Sequence, residues 1–134
     1  MKILLIPPKE VHLLWEEVAP IIDKGLRGPD GTVAEDFLEP LKKGSNILWI
    51  IVDGFDIESV VVGQFVDYPR KKALSIEVWA TKSGHKFDEV YPLIESIKKF
   101  AKANGCEYIE ATVRKGLAKK LKWNDKHSFV TLTL

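Results

Sequence analysis

The residues able to do chemistry fall mainly in the second half of the chain. Glu77 lies in the run Ala73 to Thr81, where period-two alternation puts it on one face with Ser75 and Trp79, and Ile76 and Val78 on the other. Glu110 lies in a second run, Cys106 to Val113, and shares a face with Tyr108 and Thr112. Carboxylates and imidazoles are the usual proton acceptors in enzyme sites, so Glu77 and Glu110 are candidate general bases. Salt-bridged or solvated strand carboxylates are the plainer alternative for both. Between the two runs comes Thr81-Lys82-Ser83-Gly84-His85-Lys86, a glycine-centred turn from strand to helix. Such a turn can aim backbone N–H groups and a helix N-terminus at a phosphate, with Lys82, Ser83, His85 and Lys86 adding donors around Gly84. An ordinary polar turn would have the same composition.

Other reactive side chains carry less. Cys106 is the only cysteine, so the chain holds neither an internal disulfide nor a cysteine metal cluster. No His stands in a motif relation to it, and it reads as a small buried residue. His12, His85 and His127 are too scattered for a metal site, and His12 reads as a helix-surface residue. Trp15, Trp49, Trp79 and Trp123 alternate with aliphatic residues rather than with Lys or Arg, which suits core or cleft wall better than a base-stacking platform.

The elements that must position these residues follow from periodicity. Ile3 to Ile6 is a short strand stopped by Pro7-Pro8. Val11, Leu14, Trp15, Val18, Ile21 and Ile22 form one helix face, which Pro20 should kink or divide. A second helix is expected from Thr32, capped by Thr32 with Glu35 completing a capping box, to Lys43, with Gly44 beyond. Asn46 to Val52, Ile57 to Val66 and Ala73 to Thr81 read as an antiparallel meander joined by short turns. Phe87, Val90, Ile94, Ile97 and Ala101 mark the clearest helix, its regular part delayed by Pro92 and ended at Gly105. Cys106 to Val113 is a fifth strand, Lys115 to Lys122 a short basic helix, and Ser128 to Leu134 a terminal strand. The order β, α, α, β, β, β, α, β, α, β predicts a mixed, mostly antiparallel α/β sheet with helices on both faces and one parallel crossover.

Composition sets the class. A length of 134 residues, with 46% hydrophobic and 29% charged residues, indicates one globular domain spanning 1–134 and excludes a disordered or fibrous chain. No apolar run approaches the roughly 18 residues that a bilayer span needs, and no secretory leader is evident, so a soluble, cytoplasmic protein is expected. The net charge of +1 divides into −6 over residues 1–68 and +7 over residues 69–134. A basic half suggests an anionic partner, either a phosphate-bearing cofactor or nucleic acid; charge asymmetry alone supports the latter, so nucleic acid is not expected.

The element order resembles the GNAT superfamily of acyl-CoA-dependent N-acyltransferases, and small GNAT-like proteins of tailed bacteriophages most of all. The matching residues are Val66-Asp67-Tyr68-Pro69-Arg70-Lys71-Lys72 before the central strand and Phe100-Ala101-Lys102-Ala103-Asn104-Gly105-Cys106 closing the long helix. Arg114-Lys115-Gly116-Leu117 with Leu121 and Trp123 is similar to a further family segment. The resemblance implies acetyl-CoA as cofactor, its pyrophosphate at Lys82, Ser83, Gly84, His85 and Lys86. It also implies that the pantetheine arm pairs with Val78, Trp79 and Ala80 like an added strand. Glu77 or Glu110 would then be the base, and Tyr108 or Tyr68 the donor to the leaving thiolate. An amine-bearing protein or small molecule would be the acceptor. Two departures stand out. Of the family's glycine-rich pattern only Gly84 is present, and Leu117-Ala118-Lys119-Lys120-Leu121 lacks the Tyr that many members carry there. These departures suit a second expectation, a phage GNAT-fold protein that has lost catalysis and acts in binding or within the virion.

Overall fold

The computed structural model describes residues 1–26, 31–111, 121–123 and 132. The expected terminal strand, apart from Leu132, and most of the expected basic helix lie outside the described residues. Among the described residues, five strands form one sheet in sequence order: β1 (Lys2–Ile6), β2 (Ile47–Asp53), β3 (Asp56–Asp67), β4 (Lys72–Thr81) and β5 (Tyr108–Ala111). β1 to β4 run antiparallel, as short connections require. The β2–β3 link is a two-residue turn, Gly54-Phe55, between the paired Asp53 and Asp56. β5 returns parallel to β4, in register from Ala73↔Tyr108 to Ile76↔Ala111. The one parallel crossover expected from the element order is therefore observed, between the strands bearing Ile76 and Ile109.

Both faces of the sheet are covered, because β2, β3 and β4 are apolar on both sides. On one face α1 (Val11–Gly25) and α2 (Leu38–Lys43) bury Leu48, Ile50, Val60, Val62, Val78 and Ala80. On the other, α3 (Phe87–Val90) and α4 (Ile94–Ala103) bury Trp49, Ile51, Val61, Leu74, Ile76 and Trp79. The α4 contact uses Ile94, Ile97 and Ala101, the 3.6-period face read from the sequence. Ile97 is fully buried, and its truncation to Ala would cost about 2–5 kcal/mol. Phe100 adds an edge contact to Trp49 and a stacked contact to Phe65, with centroids 5.4 and 5.8 Å apart. The end of α4 is stitched to the start of β4: Lys72 Nζ donates to the Asn104 carbonyl at 2.9 Å, and Glu107 N–H donates to the Lys72 carbonyl at 2.9 Å. Those bonds set where β5 begins.

Two local expectations are corrected. Pro20 does not divide the first helix, which runs unbroken from Val11 to Gly25. Val18, Ile21 and Ile22 are buried around it, so packing on the sheet outweighs the lost backbone bond. Thr32 and Glu35 do not form the capping box. The segment starts as a 3₁₀ turn at Ala34–Phe37, with Asp36 Oδ2 accepting the Val33 N–H at 3.0 Å, while Glu35 accepts from Trp15 Nε1 at 3.1 Å. The α1 residue Asp23 takes the Ala34 N–H at 2.7 Å, which fixes this later start. Pro92 acts as expected, opening a 3₁₀ turn, Tyr91–Leu93, from which the regular α4 begins.

Candidate active site

The site is built around an irregularity in β4. Val62 pairs with Val78 but Gly63 pairs with Ile76, so Glu77 is an extra residue with no partner on β3: a β-bulge. One inserted residue reverses which face each later side chain meets. Leu74 and Ile76 pack under α4, whereas Val78 and Ala80 pack under α1 and Trp79 returns to the α4 side. The alternation read from the sequence is thus overturned at this point. Ser75 and Trp79 do not share a face, and neither do Ile76 and Val78. Gly63 admits the distortion, since a Cβ there would lie 3.0 Å from the Ser75 carbonyl and 3.3 Å from the Trp49 ring. The bulge falls one residue past Ile76↔Ala111, the last described pair between β4 and β5.

Glu77 is half-buried and hydrogen-bonded to Gln64 of β3. Burial pushes its carboxyl pKa above the ordinary value, and the bond from Gln64 offsets part of that rise. Gln64 and Glu110 each precede or follow a residue, Phe65 or Ile109, that packs into the α4-side core, so both face the other way, toward the α1 side of the sheet. Glu110 pairs in register with Ser75, which puts it on the order of 8 Å from Glu77 by strand spacing. The Tyr68 phenol donates to Glu110 Oε1 at 2.7 Å, and this bond chiefly raises the Tyr68 pKa, keeping the phenol protonated. Tyr108 sits opposite Ala73, about 13 Å along the strand from Glu77. Its ring has Lys71 Nζ 6.0 Å from the centroid. The two glutamates therefore share a shelf, with Tyr68 and Tyr108 at the Glu110 end.

Beyond the bulge, Val78 and Ala80 are buried against the end of α1, where a Cβ on Gly25 would lie 2.8 Å from Ala80 Cβ. Trp79 packs against Phe87 and Tyr91, both centroids 5.8 Å away. Its buried Nε1 has no acceptor among the described residues, and so is a donor that a bound group could use.

The turn after β4 brings a residue that sequence reasoning missed. A second bulge, in β3, leaves Glu58 as the extra residue between Ile51↔Ser59 and Val52↔Ile57. Glu58 is only 5% exposed. Its Oε1 accepts the Ser83 N–H at 2.9 Å, its Oε2 lies 4.0 Å from Lys86 Nζ, and its carbonyl accepts the Lys82 N–H at 2.7 Å. Lys86 also donates to Asp53 Oδ2 at 3.2 Å, and Asp53 first, then Glu58, raise the pKa of its ammonium. Lys24 of α1 donates to the Lys82 carbonyl, tying the helix end to the turn. Gly84 is exposed with open space where a Cβ would stand, and His85 lies in the 3₁₀ turn Gly84–Lys86. Of the donors expected around Gly84, Ser83 N–H and Lys86 already have carboxylate partners. The signal for this was present: Glu58 is a lone carboxylate in the run Ile57 to Val62.

Cys106 is half-buried, and burial raises its thiol pKa, which suits an inert residue. No group of three or more His, Cys, Asp or Glu able to hold a metal is found among the described residues. No helix among them is long and apolar enough to cross a membrane.

At the level of sequence, no family model and no curated protein matches the chain. Solved structures do match over nearly the whole length. A ribosomal-protein-alanine N-acetyltransferase from Brucella melitensis is 13% identical, with 100% of each chain covered and a TM-score of 0.70. An aminoglycoside acetyltransferase from an uncultured soil metagenomic sample, solved with sisomicin, is 12% identical over 99% of this chain and 94% of that one, with a TM-score of 0.71. A predicted acetyltransferase from Clostridium acetobutylicum, solved with acetyl-CoA, is 17% identical over 98% and 95%, with a TM-score of 0.65. The mixed, five-stranded fold is thus that of GNAT-type acetyltransferases.

Proposed function

We propose that this chain is an acyl-CoA-dependent N-acyltransferase that moves an acetyl group to an amine of a protein or small molecule. The observation that carries the reading is the β4 bulge, which puts a half-buried, hydrogen-bonded carboxylate where the described β4–β5 pairing ends. Acetyl-CoA supplies an activated acyl carbon as its thioester. The residues present fit its arm better than its phosphates. Val78, Trp79 and Ala80 offer backbone for strand-like pairing, and Trp79 Nε1 offers a donor without a partner among the described residues. Ser83 N–H and Lys86, by contrast, already face Glu58.

In this reading Glu77 removes the proton from the acceptor's ammonium, so that the nitrogen lone pair attacks the acyl carbon. A C–N bond forms and the C–S bond breaks; the nitrogen gives its second proton to water as the departing thiolate takes one from water, and the proton held by Glu77 is the one released overall. Backbone N–H groups after the bulge hold the developing oxyanion. Glu110, held by the Tyr68 phenol, gives the shelf a second negative charge that favours a cationic acceptor. Aminoglycosides and ribosomal-protein alanine, the acceptors of two relatives named above, are both amines. Such a reaction belongs in the cytoplasm, where the thioester is made. The relatives named above lend no support to a phage origin.

A second reading, a fold kept for binding alone, is favoured by Glu58 under the cofactor turn. Calorimetric titration with acetyl-CoA and desulfo-CoA, followed by an amine panel, separates the two. Cofactor binding with acetylation supports transfer. Binding with no product on any amine supports the second reading, and no binding near millimolar cofactor refutes the first.

A further inference from the structure

Glu58 is the only buried carboxylate among the described residues, and the proposed reaction does not use it. The β3 bulge directs it under the turn 82–86, where both of its oxygens are engaged: Oε1 with the Ser83 N–H at 2.9 Å and Oε2 with the Lys86 ammonium at 4.0 Å. A backbone amide and an ammonium converging on one anion are the chemistry that recognises a phosphate. Here the chain itself fills that position. The Lys82 N–H and the Lys82 carbonyl are also bonded, to Glu58 and Lys24, so the turn is fixed around this carboxylate.

We infer that Glu58 stands in for the diphosphate of the acyl carrier and thereby sets substrate choice, so that the chain recognises a thioester by its pantetheine arm and not by its phosphates. This rests on the acyl-transfer reading and refines it. Ser83 N–H and Lys86 cannot serve a diphosphate while the Glu58 carboxyl group occupies them, and two anions brought within a few ångströms repel one another. Gln at this position would keep the shape and an acceptor for Ser83, remove the charge and release Lys86.

The test uses inorganic pyrophosphate, acetyl-CoA and S-acetylpantetheine, the last carrying the same arm without phosphates. In the wild-type protein, millimolar pyrophosphate should leave the Ser83 and Lys86 amide resonances unmoved, and the two thioesters should bind within about threefold of each other. Glu58→Gln should bind pyrophosphate and acetyl-CoA at least about tenfold more tightly, with S-acetylpantetheine unchanged. Adding Lys86→Met to Glu58→Gln should cancel that gain, which a merely structural role for Glu58 would not predict. Thermal melting checks that the variants fold, and the wild-type resonances decide the matter if they do not. Movement of the Ser83 amide on adding pyrophosphate to the wild type, or no gain in folded Glu58→Gln, overturns the inference. Failure of every protein to bind either thioester, with the pyrophosphate gain intact, refutes acyl transfer while leaving Glu58 as the occupant of an anion site.

Discussion

Replacing Glu77 with Gln is the sharpest perturbation of the proposed chemistry. The amide keeps the size of the side chain and can still bond to Gln64, but it cannot take a proton. Loss of a positioned general base lowers turnover by about 10²–10⁴-fold. The lower end, near 10² and so about 3 kcal/mol of barrier, is expected because Glu77 is only half-buried and water can substitute in part. The fall should appear in kcat, with KM for the thioester unchanged, measured as thiol release from acetyl-CoA against pH. The wild-type rate should rise along an acid limb placed above the ordinary Glu range, since burial raises this pKa, and the variant should lack that limb. Stability carries the same sign. A raised folded pKa gives a contribution that is full below the unfolded value and lost as pH rises through the folded one. Wild type and Glu77→Gln should therefore melt together in acid, with the variant higher near neutrality by a few degrees at most, because solvent screens the group. A variant with wild-type rate and an unchanged acid limb would move the base elsewhere, to Glu110 first. A variant less stable at neutral pH would refute the burial argument itself.

Three further outcomes follow from the same geometry. Gln64→Leu removes the bond that lowers the Glu77 pKa, so the acid limb of the rate profile should move to higher pH. Gly25→Ala sets a Cβ 2.8 Å from Ala80 Cβ, and should destabilise the fold by about 1–3 kcal/mol in chemical denaturation as α1 is forced from β4. A Cβ at the exposed Gly84 meets no atom within 4 Å, and Gly84→Val should leave the melting temperature unchanged. With Glu58 under the turn it should also spare S-acetylpantetheine binding, and abolish only the acetyl-CoA gain of Glu58→Gln.

The meander was legible because burial is written into alternation: the strands expected from Asn46, Ile57 and Ala73 begin within one residue of β2, β3 and β4. The α4 face was legible for the same reason at period 3.6. The bulges were not, because a bulge is a property of two strands in register and no single strand displays it. A trace remained in β4, where Leu74 and Ile76 alternate with polar residues but Val78, Trp79 and Ala80 run together. Glu77 was read on the strand it occupies, β4, but was assigned the wrong companions on its face. The turn 82–86 was recognised by its glycine and lysines. Its main partner lies some 25 residues earlier in sequence and reaches it only through the second bulge. Pro20 was misjudged because propensity weighs one residue, whereas Val18, Ile21 and Ile22 hold the helix together.

The two bulges give one residue type two opposite tasks. In each, an extra Glu is pushed out of a strand's regular pairing, and its surroundings decide what the charge does. Glu77 emerges half-buried beside Gln64 with a raised pKa, the condition of a group that trades a proton. Glu58 emerges under a turn that meets it with an amide and an ammonium, the condition of a group held in place by its partners. A catalyst needs the first and gains nothing in diphosphate affinity from the second. A binding protein that once used coenzyme A would have no use for a proton acceptor at Glu77, and substitution there should then change ligand affinity no more than any other shelf residue. The contrast between Glu77→Gln and Glu58→Gln, one acting on rate and the other on phosphate affinity, is therefore what the acyltransferase reading requires and the binding reading does not.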